Sequence, residues 1–231
     1  MRRKLGDVAA IIALAAIIWV CHLFSTFLES YIDTGYIAKE TSKFTQGEPT
    51  IILDPGHGGI DAGKTGVNGA QEKEINLKIA MKIKTILSEE GLSTVMTRID
   101  DERLAESQVE DLKARTDIMN AQNPSLVVSI HQNSYHDEGV SGAQVFYHSK
   151  SEEGQLAAQA IQEQLNKINP DNTKKIKAND TYYILKNTDV PVVIVECGFL
   201  SNYEEAEKLS DEAYQQTVAE AIAEGIKKFC F

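Results

Sequence analysis

Cysteine is scarce: three in 231 residues, Cys21, Cys197 and Cys230. The first falls in an apolar N-terminal run, the second in a strongly apolar strand-like run, the third one residue from the end. That spacing excludes a disulfide framework and a cysteine-rich zinc site. Basic charge is short as well: 23 Lys and Arg stand against 34 Asp and Glu, a net charge of -11. Without residues 1–7 the balance falls to -13, from 20 basic and 33 acidic side chains. So acidic a chain is not built for nucleic acid, whose phosphates demand basic patches. No internal repeat and no second module of a binding type is present.

What the chain does have begins with "MRRK", followed by "VAAIIALAAIIWVCHLF" (residues 8–24), uncharged when His22 is neutral. Extended by "STFL", this run reaches the ~20 residues that cross a bilayer as a helix. No A-x-A-like cleavage site follows it, so the reading is an uncleaved transmembrane anchor rather than a removed signal peptide. Lipid attachment at Cys21 would want small residues before it, and Ile18, Trp19 and Val20 are bulky. The basic cluster stays cytoplasmic, which places the rest of the chain outside the cytoplasm, anchored to the membrane. A buried globular helix is the alternative. Residues 1–28 then read as the anchor, the polar stretch 29–48 as a stalk, and 49–231 as one folded domain.

That domain reads as α/β. Strands are expected at "TIILD" (50–54), "STVMTR" (93–98), "LVVSIH" (126–131), "AQVFYH" (143–148), "TYYIL" (181–185) and "VVIVEC" (192–197). Helices are expected at 72–90, 109–122, 152–168 and 211–229, with a shorter one at 203–209. Strands alternating with long helices predict a mainly parallel sheet covered on both faces. "VVSI" and "VVIV" are continuous apolar runs, as doubly covered strands require.

Reactive side chains fall at the ends of three of these strands. "TIILDPGHGG" puts His57 just past one, "SLVVSIHQN" puts His131 at a second, and "PVVIVECGF" puts Glu196 at a third. Ligand sites of open α/β sheets gather outside the carboxyl ends of strands. A histidine after a strand can equally be a hydrogen-bonded structural residue. Glycines around His57 free the backbone to bend and leave its ring available. Glu196 is harder to explain as structure, because a buried carboxylate costs several kcal/mol, about what a fold can spare, unless it is paired or holds a metal. His136, in a polar loop, and His148, before a plain helix start, lack this context.

Two histidines need a third ligand, and His₂Glu is a recurring catalytic zinc set. "GAQEKEINLKIA" (69–80) offers Glu72 and Glu74 at the start of a helix. At 100° per residue, Ile75, Ile79, Ile83 and Ile86 cluster around Glu72, whereas Glu74 shares its side with Lys78, Met81 and Thr85. Glu72 therefore heads the inward face and Glu74 faces solvent. In the same region "GGIDAGKT" (58–65) matches the phosphate-loop pattern letter for letter. That motif needs a helix beginning at its lysine, and here the loop-like "GVNGA" follows, so nucleotide binding is not expected.

"DPGHGGIDAGKTGVNGAQEKEINL", "TVMTR", "LKARTDIMN", "SIHQN" and "YYILKNTDVPVVIVECGFLSN", in this order over residues 50–229, together resemble the zinc-dependent N-acetylmuramoyl-L-alanine amidases of bacterial cell walls. The resemblance implies a mixed, mainly parallel sheet flanked by helices. It implies one Zn2+ held by His57, Glu72 and His131, with Glu196 as the catalytic carboxylate. The implied substrate is peptidoglycan, cut at the amide between the lactyl group of N-acetylmuramic acid and L-alanine. "DERLAESQVEDLKAR" and "SGAQVFYHSK" bring the likeness nearest to the germination-specific, spore-cortex branch, whose action precedes closure of the muramic δ-lactam. A vegetative wall amidase and an inactive wall-binding scaffold are the other readings. Some relatives need an accessory activator, and a lone catalytic domain is compatible with one. Asp54, Arg98, Arg115, Asn133 and Asn202 are candidates for touching substrate or supporting the metal ligands. Gln132 departs from the family, standing where many relatives carry a smaller or apolar residue.

Overall fold

The computed structural model of the chain describes Trp19 and residues 50–231. The expected anchor and stalk lie outside the described residues, Trp19 excepted. Among the described residues no helix is long and apolar enough to cross a membrane. Residues Glu48–Phe231 form one compact unit.

Six strands form one sheet: β1 (Thr50–Pro55), β2 (Ser93–Met96), β3 (Leu126–Asn133), β4 (Gln144–Tyr147), β5 (Lys177–Ala178) and β6 (Val192–Phe199). Their order is β2-β1-β3-β6-β4-β5. Every neighbouring pair is parallel except β4 with β6. The sheet is therefore mixed and mainly parallel, as the alternation of strands and helices implied. Six helices accompany it among the described residues: α1 (Glu72–Glu89), α2 (Gln108–Ala121), α3 (Glu152–Ile168), α4 (Tyr183–Asn187), α5 (Tyr203–Ser210) and α6 (Glu212–Cys230).

Two apolar clusters lie on opposite faces of the sheet. On one face Leu53, Val128, Ile130 and Val195 meet Ile79 and Ile83 of α1, Ile161 of α3 and Ile222 of α6. On the other Ile52, Val127 and Ile194 meet Met119 of α2 and Ile184 and Leu185 of α4. Alternation along each strand assigns the polar residues to these faces too. Asp54, Ser129, His131 and Glu196 share parity with the second cluster. Gln132 and Cys197 share it with the first.

One expected strand is a helix. The aromatic and apolar run at 181–185 predicts an extended strand, yet α4 begins at Tyr183, and the fifth strand, β5, is Lys177–Ala178. The cause is local. The Asn179 side chain accepts hydrogen bonds from the Thr181 and Tyr182 N–H groups and from the Thr181 hydroxyl, which starts a turn. Ile184 and Leu185 are then buried side by side in one cluster, which a strand cannot do on a single face. A short apolar run does not separate the two structures by pattern.

Candidate metal centre

Parallel pairing sets up the site. His131 of β3 lies level with Glu196 of β6, so both side chains stand on the same face. Gly56, just beyond β1, is next in that row, and a Cβ there would collide with the His131 ring. The absent side chain at Gly56 is thus what makes room for the imidazole. His57 follows with φ 64, a left-handed conformation that costs a non-glycine residue roughly 1–2 kcal/mol. The guanidinium of Arg115 holds it there, donating to the His57 carbonyl at 2.6 Å and to the Pro55 carbonyl at 2.8 Å.

Glu72 is the first residue of α1 and is 4% exposed, while Glu74 is exposed. The azimuthal reading separated them correctly: Ile75, Ile79 and Ile83 are buried, and Lys78, Met81 and Thr85 are exposed with Glu74. The Glu72 carboxylate comes from the α1 side and meets both histidines. Its Oε1 lies 3.2 Å from His57 Nε2 and 3.0 Å from His131 Nδ1. The glycine-rich loop closes around its other oxygen, the Lys64 N–H donating to Oε2 at 2.8 Å. The Gly63 N–H donates to Asp61 at 3.1 Å. The loop with phosphate-loop lettering thus directs its amides at two carboxylates of its own chain. A Cβ on Gly63 would sit 2.6 Å from Glu72 Oε2.

His57, Glu72 and His131 offer three ligand atoms within 4.8 Å of one another. Tetrahedral zinc, with bonds of about 2.0–2.2 Å to nitrogen and oxygen, wants donors roughly 3.3–3.5 Å apart, so this set fits it. The electrostatics point the same way. Burial disfavours charge on His57, but the hydrogen bond and charge of Glu72, then those of Asp61, raise its pKa to about 9. Burial likewise opposes the Glu72 carboxylate, yet the two histidines hold its pKa far below the usual range. Surroundings that favour a proton on the ring also favour a cation beside it.

Glu196 differs from these. It is 8% exposed, and its Oε2 is buried without a hydrogen-bond partner. Burial pushes its pKa up to about 7, His131 pulls it down, and the charge on Glu72 adds to the rise. A carboxyl group tuned near neutrality beside a three-donor cluster can act as a proton carrier.

The remaining candidates divide. Asp54, fully buried, accepts from Arg115 Nη1 at 2.7 Å, Thr97 Oγ1 at 2.6 Å and Ser129 Oγ at 2.6 Å. Burial would raise its pKa, but Arg115 and the two hydroxyls outweigh that and lower it. Arg98 donates to the carbonyls of Pro55, Gly56 and Lys73; burial, then the charge of Arg115, pulls its pKa down to about 10. These three residues hold the His57 loop from beneath. Asn133 accepts from the Ser134 N–H at the end of β3. Asn202 caps α5, accepting from the Glu205 N–H, and donates to the Glu138 carbonyl. His136 and His148 stand outside the three-donor cluster.

Sequence reasoning passed over Asp61 and Asn76. Asp61 Oδ2 lies 3.0 Å from His57 Nδ1, the ring nitrogen turned away from Glu72, and so orients the imidazole. Its spacing of four from His57 inside the glycine-rich loop was the available signal. Asn76 is a polar residue on the apolar stripe of α1, one turn beyond Glu72 and fully buried.

Several known proteins resemble this chain. The chain is 36% identical over 187 residues to the germination-specific N-acetylmuramoyl-L-alanine amidase of Bacillus subtilis, covering 78% of each. The CwlD amidase of Clostridioides difficile, solved in complex with the GerS lipoprotein, superposes with a TM-score of 0.76 at 37% identity, covering 79% of this chain and 98% of that one. The catalytic domain of CwlV, an N-acetylmuramoyl-L-alanine amidase from Bacillus (Paenibacillus) polymyxa var. colistinus, gives 0.71 at 29% identity, covering 78% of this chain and 97% of that one. Residues 51–228 match the N-acetylmuramoyl-L-alanine amidase family, and the chain belongs to it.

Proposed function

We propose that this amidase hydrolyses the amide between the lactyl group of N-acetylmuramic acid and the L-alanine of peptidoglycan stem peptides, with one zinc ion held by His57, Glu72 and His131. The observation that carries the reading is the buried, unpartnered Glu196 Oε2 beside the three-donor cluster. When bound, zinc supplies Lewis-acid chemistry, polarising a carbonyl and acidifying water. Glu196 takes the proton of the attacking water and delivers it to the leaving alanine nitrogen. Its raised pKa suits both halves of that transfer. Asp61 keeps the His57 ring in place. Asp54, Arg98 and Arg115 keep the loop beneath it from relaxing.

The spore cortex is the proposed setting, with the product feeding muramic δ-lactam formation. The 36% identity to a germination-specific amidase supports it. An accessory protein is proposed as well, because the CwlD neighbour was solved with a lipoprotein partner. Residues 1–28 are proposed to anchor the enzyme, with residues 49–231 outside the cytoplasm.

Purified protein should bind about one zinc ion, as this ligand set requires, and chelation should abolish release of muramoyl-linked peptide. His57→Ala and Glu72→Ala should strip the metal, and Glu74→Ala should leave it. A stable protein with neither zinc nor peptide release, assayed with a partner lipoprotein present, would sink the proposal. Expression confined to growing cells would move the enzyme to vegetative walls.

A further inference from the structure

The three proposed ligands come from separate segments: the loop after β1, the start of α1, and β3. Something must set their mutual distances. The ligands cannot do this alone, because each is carried on its own backbone. Asn76 meets all three segments with one side chain. Its Nδ2 donates to the Gly56 carbonyl at 3.2 Å, one residue before His57. The same nitrogen donates to Glu72 Oε1 at 3.4 Å. Its Oδ1 accepts from Gln132 Nε2 at 3.1 Å, one residue after His131. Gln132 closes the ring, its backbone N–H donating to Glu72 Oε1 at 3.0 Å.

A packing role does not account for this residue. Asn76 is fully buried on a helix face that, beyond Glu72 and Lys73 at its start, is made of Ile75, Ile79, Ala80, Ile83 and Leu87. A primary amide in such a place is costly unless its bonds are made, and leucine would fill the same branched shape without that cost. Both donor directions of Asn76 point at oxygens of ligand-bearing segments instead. The bond to Glu72 also restricts where that carboxylate can turn its Oε1.

We propose that Asn76, with Gln132 as its outer support, is the positioning residue that fixes the spacing of His57, Glu72 and His131 and so sets the affinity of the site for zinc. The proposal rests on the metal-ligand reading above. Gln132 supplies the third bond of this amide. Without Asn76 the start of α1 is free to shift against β1 and β3, and the donors spread.

The test is zinc affinity of the full chain, measured by competition with a chromogenic chelator, for wild type, Asn76→Leu, Asn76→Ala and Gln132→Ala, with His57→Ala as the ligand control. Asn76→Leu keeps the branched heavy-atom skeleton, adds some bulk, and removes every side-chain hydrogen bond; Asn76→Ala removes the bonds without adding bulk. Asn76→Leu should weaken zinc binding about 10–100-fold, the usual range for residues that orient ligands, with an unchanged far-UV spectrum. Gln132→Ala should weaken it less, and combining Gln132→Ala with Asn76→Ala should add little, because the two share one bond. Cobalt-loaded Asn76→Leu should also show altered d–d bands, which a purely structural role would not produce. Wild-type affinity in a folded Asn76→Leu overturns the proposal. If both Asn76 variants fail to fold, Gln132→Ala decides, and unchanged affinity there overturns it. If wild type binds no zinc and matches His57→Ala, the ligand reading falls, and this proposal with it.

Discussion

Replacing Glu196 with Gln should abolish turnover and, at alkaline pH, stabilise the metal-free fold. Burial lifts the Glu196 pKa from 4.5 to about 7. The folded protein therefore keeps a proton that the unfolded chain has already released between those two values. A raised folded pKa contributes stability that is intact below the unfolded pKa and is lost as pH rises through the folded one. The rise from 4.5 to about 7 corresponds to about 3 kcal/mol, at 1.36 kcal/mol for each tenfold change in the proton equilibrium. Glutamine keeps the shape and cannot ionise, so it escapes this penalty. The difference in unfolding free energy between Glu196→Gln and wild type should shift by about 3 kcal/mol in favour of the variant between about pH 4.5 and about pH 8.5. For a chain of this size that is roughly 6–12 °C in Tm. Urea melts of both proteins, stripped of metal, at the two pH values measure it, and titrating groups that do not interact with Glu196 cancel in the comparison. A difference that does not change with pH would refute the reasoning, because Glu196 would then ionise in the folded protein as it does in solution. Zinc binding should survive the substitution; its loss would make Glu196 a ligand.

Other outcomes follow from the same geometry. The acid limb of the pH–activity profile should lie at or below about pH 7, because Glu196 must be ionised to accept a proton and a nearby dication lowers its pKa further. Arg115→Met should destabilise the fold by about 3–5 kcal/mol in denaturant melts, because it leaves Asp54 charged and buried without its cation. Gly56→Ala should cost zinc before it costs secondary structure, since the added methyl enters the space of the His131 ring; equilibrium dialysis and circular dichroism separate the two. Asp61→Ala should weaken zinc about 10–100-fold by releasing His57 Nδ1.

Much of the centre was legible because it obeys periodicity. Glu72 was separated from Glu74 by azimuth alone, since the helix that carries it buries one stripe. His57, His131 and Glu196 stood out because each ends or follows an apolar run that reads as a covered strand. The supporting network was less legible. Asp54 and Arg115 pair across 61 residues, and Asn76 reaches Gln132 across 56. No local pattern encodes which distant partner a buried polar residue will find. The misplaced fifth strand has a different origin: one asparagine side chain redirected a run of residues whose composition favours extension.

The two faces of the sheet have separate apolar clusters, one under α1, α3 and α6, the other under α2 and α4. Glu72 belongs to the first layer and His131 to the second. A cation bound by both would be a rivet across the carboxyl end of the sheet's central strands. Its removal would let the layers breathe independently, and its addition should slow amide hydrogen exchange in α1 and α2 together, although the two helices pack on opposite sides of the strands.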